Sequence, residues 1–129
     1  GILMRREDPL AAKSAITRDD LKGVPLLHSR HALSRGNVLD WFGKSADLNI
    51  VATFNLLYNA ALMAKAGMGV VLSIDKIYNV TGESELCFRP LAPRLESHLS
   101  LVWKKYQVFS GAAQIFLKHL QEKLQTSGV

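Results

Sequence analysis

The fold of this chain is decided by residues 55–72, which read NLLYNAALMAKAGMGVVL. The first part is apolar on nearly every side, which predicts a buried helix over residues 55–66. Gly67 suits the left-handed position that follows a helix, and Gly69 suits a close approach of the helix end to a sheet. The β-branched run after them predicts a strand over residues 70–74.

A second strand is predicted directly upstream, over residues 49–53. Strand, helix and strand at this spacing form a βαβ unit, so we expect its two strands to be parallel and its helix to cover the sheet. Gly67 and Gly69 do not form a dinucleotide-binding loop, because they follow a helix end and meet carbonyl groups there instead of amides. The chain therefore predicts an α/β fold.

Further elements surround this unit. Short apolar or alternating runs predict strands over residues 1–4, 24–28, 86–88 and 98–104, with a connector over residues 90–93. Helices are predicted after residues 17–20, closed by Gly23; from Ser34 to Phe42, closed by Gly43; and after Ser110, as caps and glycine stops indicate. The last helix carries an amphipathic stripe that consists of Ala113, Phe116, Leu117, Leu120 and Leu124.

Composition indicates one folded domain. The 129 residues are 48% hydrophobic, and the single cysteine, Cys87, excludes an intrachain disulfide and fits a reducing compartment. The longest apolar run, residues 60–74, is interrupted by Lys65 and Ser73 and is too short for a membrane span. The N-terminus does not read as a signal peptide. A start in mid-strand predicts a fragment of a longer protein.

Neither the charge distribution nor the sequence motifs indicate a catalytic site. Sixteen basic and eleven acidic residues give a net charge of 16 − 11 = +5, but the basic residues are scattered, so an ordinary basic surface is favoured over nucleic-acid binding by this segment. His28 and His31 lack a carboxylate or thiolate motif nearby, which disfavours a metal site. We therefore predict no enzyme activity, no cofactor and no metal.

One location does suggest a ligand. Thr53, Phe54 and Asn55 lie where a strand ends and a helix begins, which is where open α/β sheets bind ligands and where free amides favour an anion. Ser29 and Arg30 follow the preceding strand. Together these residues predict a pocket for a carboxylate. The alternative is that Asn55 only caps its helix.

Four stretches, in order, resemble the effector-binding domain of LysR-type transcriptional regulators. They are GILMRREDPLA (1–11), ITRDDLKGVPL (16–26), the quoted segment (55–72), and FRPL (88–91) with LVWKK (101–105). The last helix fits as well, so the resemblance covers essentially the whole chain.

The resemblance implies a two-lobed clamshell like type 2 periplasmic binding proteins, whose lobes are three-layer α/β units with a mixed, mostly parallel sheet. Residues 1–93 would form the second lobe, with a hinge crossing near residues 89–93. Residues 94–129 would add the last strand and helix of the first lobe. The winged helix-turn-helix and most of the first lobe lie outside this sequence.

The resemblance also implies function. The chain would be the ligand-sensing domain of a bacterial, cytoplasmic regulator, without a membrane partner, and a small effector would shift a DNA-bound homodimer or tetramer. DNA would be contacted by the winged helix-turn-helix, not by this segment. The five residues of the predicted pocket match the family's effector loops. Many members end the strand after Gly-x-Gly with proline where this chain has Ser73-Ile74, so the pocket floor departs from the family there.

Two further expectations remain. A solute-binding protein of a transport system shares the clamshell and is the alternative function. In addition, the apolar side chains of residues 98–124 would face first-lobe strands that this sequence lacks. Because large exposed apolar patches usually find a partner, we expect the chain to self-associate through this segment.

Overall fold

A computed structural model describes residues 1–32, 36–43, 48–97 and 100–126. The chain divides into two compact units, Gly1–Ser97 and His98–Val129. Within the described ranges, no helix combines the length and the apolar character that crossing a bilayer requires.

Seven strands and three α-helices are found within the described residues. In chain order they are β1 (Ile2–Arg5), β2 (Ile16–Thr17), β3 (Pro25–Ser29), α1 (Gly36–Phe42), β4 (Asn49–Phe54), α2 (Leu57–Lys65), β5 (Val70–Leu72), β6 (Leu86–Arg89), β7 (Leu91–Ala92) and α3 (Gly111–Thr126). Two short 3-10 helices, Pro9–Ala12 and Asp19–Leu21, precede and follow β2.

The first unit is built on a five-stranded sheet with the order β4-β3-β5-β1-β6. β3 runs parallel to both β4 and β5, whereas β1 runs antiparallel to β5 and β6. The prediction that β4 and β5 are parallel is confirmed, although β3 lies between them. A separate parallel pair joins β2 to β7, where the sequence predicted only a connector.

The sheet is covered on both faces, so the predicted three-layer α/β architecture is confirmed. β1 alternates: Ile2 and Met4 are buried in one cluster with Trp41 and Phe42 of α1, while Leu3 is buried in the other, with the alanines of α2. β3 and β5 alternate in the same way. Strand periodicity of two residues thus supplies both cores from one sheet.

Helix α2 differs from the prediction of a helix buried on all sides. Ala60, Ala61 and Ala64 are buried against the sheet, but Tyr58 is 59% exposed and Leu62 is 48% exposed. Alanines let the helix backbone lie close to the strands, Leu57 and Met63 pack partly against the same core, and Tyr58 and Leu62 are exposed to solvent. The helix also begins two residues later than expected, because β4 stays extended and paired with β3 through Phe54.

The two glycines after α2 have the roles that the sequence predicts. Gly67 has φ +80°, the left-handed conformation that ends a helix, and Gly69 has φ +155°. A Cβ on Gly69 would lie 2.3 Å from the carbonyl oxygen of Pro25 in β3, so a side chain there would collide with backbone. β5 then ends at Leu72, two residues before the predicted end.

The predicted ends of two further helices can be compared with the structure. The helix expected after residues 17–20 is the 3-10 helix Asp19–Leu21, and Gly23 follows it with φ +73°. α1 ends at Phe42, before Gly43 with φ +78°, as predicted. The predicted cap at Ser34 lies outside the described residues.

The second unit contains α3. The Ser110 hydroxyl accepts a hydrogen bond from the amide of Ala113 (3.3 Å), as expected for its predicted capping role. Of the strand predicted over residues 98–104, His98 and Leu99 lie outside the described residues, and residues 100–104 form no strand.

Candidate functional site

The candidate site lies where β3 and β4 end side by side. Their parallel register aligns His28 with Thr53 and Ser29 with Phe54. Beyond the last aligned pair, the amide of Arg30 donates to the carbonyl oxygen of Phe54 (3.0 Å), which ties the two loops together. The five residues predicted from the sequence are thus brought to one edge of the sheet.

The side chains at this edge divide between the two faces of the sheet. Phe54 packs on the side of α2, and its aligned partner Ser29 shares that side because aligned residues of parallel strands point the same way. His28 and Thr53 come one residue earlier in their strands and therefore point to the opposite face. A ligand at this edge would meet Ser29 and Thr53 from different faces.

Asn55 does not cap α2, so the alternative reading of this residue is wrong. The cap residue is Leu56, which is extended (φ −116°, ψ +120°) and has no side-chain oxygen to offer. No described side chain caps the helix in its place. Within the described residues, the first amides of α2 therefore have no side-chain acceptor, and the neighbouring Asn55 is exposed.

The electrostatics of this edge favour an anion. Arg30 is exposed beside the β4 end, and a guanidinium can bind a carboxylate through two parallel hydrogen bonds. The first turn of α2 holds no acidic residue among those described, so its partial positive charge is not neutralised from within the helix. Both features attract negative charge to this edge of the sheet.

Just after β5, the third parallel strand, the backbone groups of Ser73 already make hydrogen bonds within the protein. The amide of Ser73 donates to the carbonyl oxygen of Gly1 (2.9 Å), and the Gly1 amino group donates to the Ser73 carbonyl oxygen (2.9 Å). The Ser73 hydroxyl donates to the carbonyl oxygen of Ile74 (3.2 Å). The polar groups of Ser73 therefore bond to backbone atoms of this chain. Ser73 is also where the sequence departs from the proline of many family members.

His28 was not among the predicted site residues. Its side chain is buried, 6% exposed, and its Nδ1 lies 2.7 Å from the carbonyl oxygen of Ser29. The sequence signal that places it in the site is its position at the end of an apolar strand. Among the described residues, no group of three or more His, Cys, Asp or Glu side chains is arranged to hold a metal ion.

A mixed, doubly covered sheet with polar loops at the carboxyl ends of its parallel strands defines an α/β ligand-binding lobe. The family model described as the LysR substrate binding domain matches residues 1–125, and the chain belongs to that family. This confirms the resemblance seen in the sequence and the α/β fold class that it implied.

Solved structures share this fold. HinK, a LysR family transcriptional regulator from Pseudomonas aeruginosa, has a TM-score of 0.72 at 19% identity, over 95% of this chain and 43% of that one. A putative LysR family transcriptional regulator from the same organism has a TM-score of 0.68 at 18% identity, over 96% and 45%. The reduced OxyR regulatory domain of Pseudomonas aeruginosa has a TM-score of 0.53 at 22% identity, over 72% and 46%.

The chain thus spans less than half the length of each of these structures. No curated protein matches the sequence.

Proposed function

We propose that the chain is the ligand-sensing part of a bacterial, cytoplasmic LysR-type transcriptional regulator. The observation that carries the proposal is the polar edge at the ends of β3 and β4, closed by the hydrogen bond from Arg30 to Phe54, in a chain of this family. Ligands of open α/β sheets bind beyond the carboxyl ends of the strands.

The effector that suits this edge is a small molecule with a carboxylate or another anionic group. Arg30 supplies a charged, two-pronged donor, and the uncapped front of α2 supplies oriented amides. Thr53 and Asn55 add exposed polar side chains, while Ser29 and Phe54 contribute from the α2 face.

The mechanism is binding and population shift, with no chemical step on the ligand. An effector that binds one arrangement of the protein more tightly shifts the whole protein toward it, and such coupling is typically ~1–3 kcal/mol, or about 5–150-fold in affinity. The readout would come from a DNA-bound homodimer or tetramer, whose DNA contacts belong to a winged helix-turn-helix outside this segment.

A reporter assay with the full-length regulator tests the site. We expect Arg30→Ala and Asn55→Ala each to raise the effector concentration for half-maximal response about tenfold, since a charge-assisted hydrogen bond contributes ~1.5–3 kcal/mol. Lys22→Ala is the matched control, because this exposed lysine precedes β3 at the other end of the strand. An unchanged response in both site variants would show that the effector binds elsewhere.

The coding sequence upstream of Gly1 separates the two functions that share this fold. A winged helix-turn-helix followed by about half a clamshell supports the regulator. A cleavable apolar leader would instead indicate a solute-binding protein, and Arg30 and Asn55 would then contact a transported solute.

A further inference from the structure

We propose that His28 is a specificity residue of the effector site, and that its Nε2 accepts a hydrogen bond from a hydroxyl group of the effector. The inference rests on the proposed function, because it concerns the same edge of the sheet. It adds a chemical class to the ligand: a small carboxylate that also carries a hydroxyl.

Two neighbours, Leu26 and Thr53, define the surroundings of the His28 side chain. Its strand neighbour Leu26, on the same face, is fully buried, and His28 itself is 6% exposed. On β4 its aligned partner is Thr53, so the imidazole and the threonine side chain lie next to each other on one face. A ligand group that enters along Thr53 therefore reaches the imidazole at the rim of the core.

The hydrogen bond of His28 determines which ring nitrogen carries the proton. Nδ1 lies 2.7 Å from the carbonyl oxygen of Ser29, and a carbonyl oxygen only accepts. Nδ1 must therefore be the donor. In the neutral imidazole the other nitrogen, Nε2, then has no hydrogen and is an acceptor.

Nε2 is left available by the fold. In the part of the chain that the structure describes, every buried side-chain nitrogen and oxygen has a hydrogen-bond partner. The protein partner of the His28 ring is the Ser29 carbonyl oxygen, through Nδ1. Nε2 consequently lies where water reaches it, through the small exposed part of the side chain at the sheet edge.

An acceptor in this place selects for a donor on the ligand. Arg30 and the front of α2 offer donors and therefore bind a carboxylate, whereas a bare Nε2 repels a second carboxylate oxygen and binds a hydroxyl. A site built to hydrogen-bond a ligand hydroxyl discriminates against the analogue that lacks it, because its buried polar group is left unpaired. The combination points to a hydroxycarboxylic acid.

Nuclear magnetic resonance on the wild-type chain tests this directly. The nitrogen chemical shifts of the neutral His28 imidazole should show a proton on Nδ1 and none on Nε2. The probes are benzoate and its 2-, 3- and 4-hydroxy derivatives. We expect at least one hydroxybenzoate to move the His28 ring signals together with the amide signals of Arg30 and Asn55, and benzoate to move only the amides.

Each outcome decides between the two proposals. A proton on Nε2 overturns the role of His28. Amide signals that move while the His28 ring stays unchanged with every hydroxybenzoate also overturn it, but leave the proposed site intact. If no probe moves the amides, the carboxylate site and the His28 inference are both contradicted.

Two variants sharpen the test. His28→Asn keeps a donor near the Nδ1 position, and so retains the bond to Ser29, but removes Nε2. His28→Gln keeps a polar group near the Nε2 position. We expect His28→Asn to lose about tenfold in its preference for hydroxybenzoate over benzoate, and His28→Gln to lose less. An unchanged preference in His28→Asn contradicts the inference; if that variant does not fold, the wild-type titration still decides.

Discussion

Both units of the chain carry apolar side chains at regular spacing, but they differ in how deeply these side chains are buried. In Gly1–Ser97, Leu3, Leu27 and Val71 are almost completely buried between sheet and helix. In the second unit, none of the described residues 100–126 is buried, and Phe116 of the amphipathic α3 is 59% exposed. An apolar stripe on a helix therefore indicates a surface that needs to be covered. It does not show that this segment of the chain contains the residues that cover it.

Truncating one side chain in each unit tests this difference most strongly. Leu27→Ala should lower the free energy of unfolding by about 2–5 kcal/mol, because it leaves a cavity in a closed core. Phe116→Ala should change it by less than about 0.5 kcal/mol in a dilute, monomeric sample, as exposed positions generally do. Urea unfolding measures both values, and equal losses would show that α3 is covered in the monomer.

A glycine pair tests the packing of α2 against the sheet. Gly69→Ala should destabilise the first unit by ~2–4 kcal/mol, because the new Cβ would overlap the Pro25 carbonyl oxygen in a backbone conformation that alanine rarely adopts. Gly82→Ala is the matched control: Gly82 has φ +62° and no heavy atom within 4 Å of a built Cβ, so only the conformational cost of ~1 kcal/mol applies. Thermal unfolding that ranks Gly82→Ala as the worse variant would contradict this packing.

Self-association is the expected consequence of the exposed apolar side chains on α3. We predict that the chain forms at least dimers at tens of micromolar, because exposed apolar side chains such as Phe116 and Leu124 lose contact with water on association. Phe116→Ser should shift the equilibrium toward monomer, and Gln121→Ser, on the same helix, should not. A wild-type chain that light scattering shows to be monomeric at these concentrations would rule the association out.

The smallest expected effect is a pH dependence within the first unit. Asp20 accepts hydrogen bonds from the Thr17 amide (2.9 Å), the Thr17 hydroxyl (2.8 Å) and Lys13 Nζ (2.7 Å). The bonds from Lys13 and then Thr17 lower the pKa of Asp20 from its ordinary value of 3.8 to about 2. Because the folded state holds the lower pKa, this stabilisation is present at neutral pH and is lost as the pH falls from about 4 to about 2.

Asp20→Asn should therefore weaken the pH dependence of the unfolding free energy between about pH 4 and pH 2. Asp19→Asn should weaken it less: Lys22 also lowers the pKa of Asp19, but this ion pair is exposed, and exposed pairs stabilise little. If both variants kept the wild-type pH profile, the Asp20 hydrogen bonds would not contribute to stability in solution.

Much of the first unit could be predicted from the sequence because its signals are local. The βαβ unit follows from the period of its apolar residues, and the roles of Gly67 and Gly69 follow from backbone conformation and space. Two features were not local. The start of α2 depends on how far β4 stays paired with β3, and the strand Leu91–Ala92 exists because it lies beside Ile16–Thr17, seventy-five residues away (91 − 16 = 75).

The candidate site was predictable in position but not in detail. Strand ends gave Ser29, Arg30 and the residues after β4, and the structure brings them together. The faces to which the side chains point required the register, which contains a shift between Leu26 and Leu27. The importance of His28 depends on its burial and on its bond to a carbonyl oxygen, and neither is visible in a one-dimensional pattern.

Hydrogen exchange on a dilute, monomeric sample of the chain is the most direct test of the contrast between its two units. We predict that the slowest amides belong to β1, β3 and β5, which share the buried core, and that amides of α3 exchange with little protection, since an isolated helix of about this length is marginal in water. Protection of α3 amides equal to that of β3 in the monomer would contradict the claim that only the first unit closes its own core.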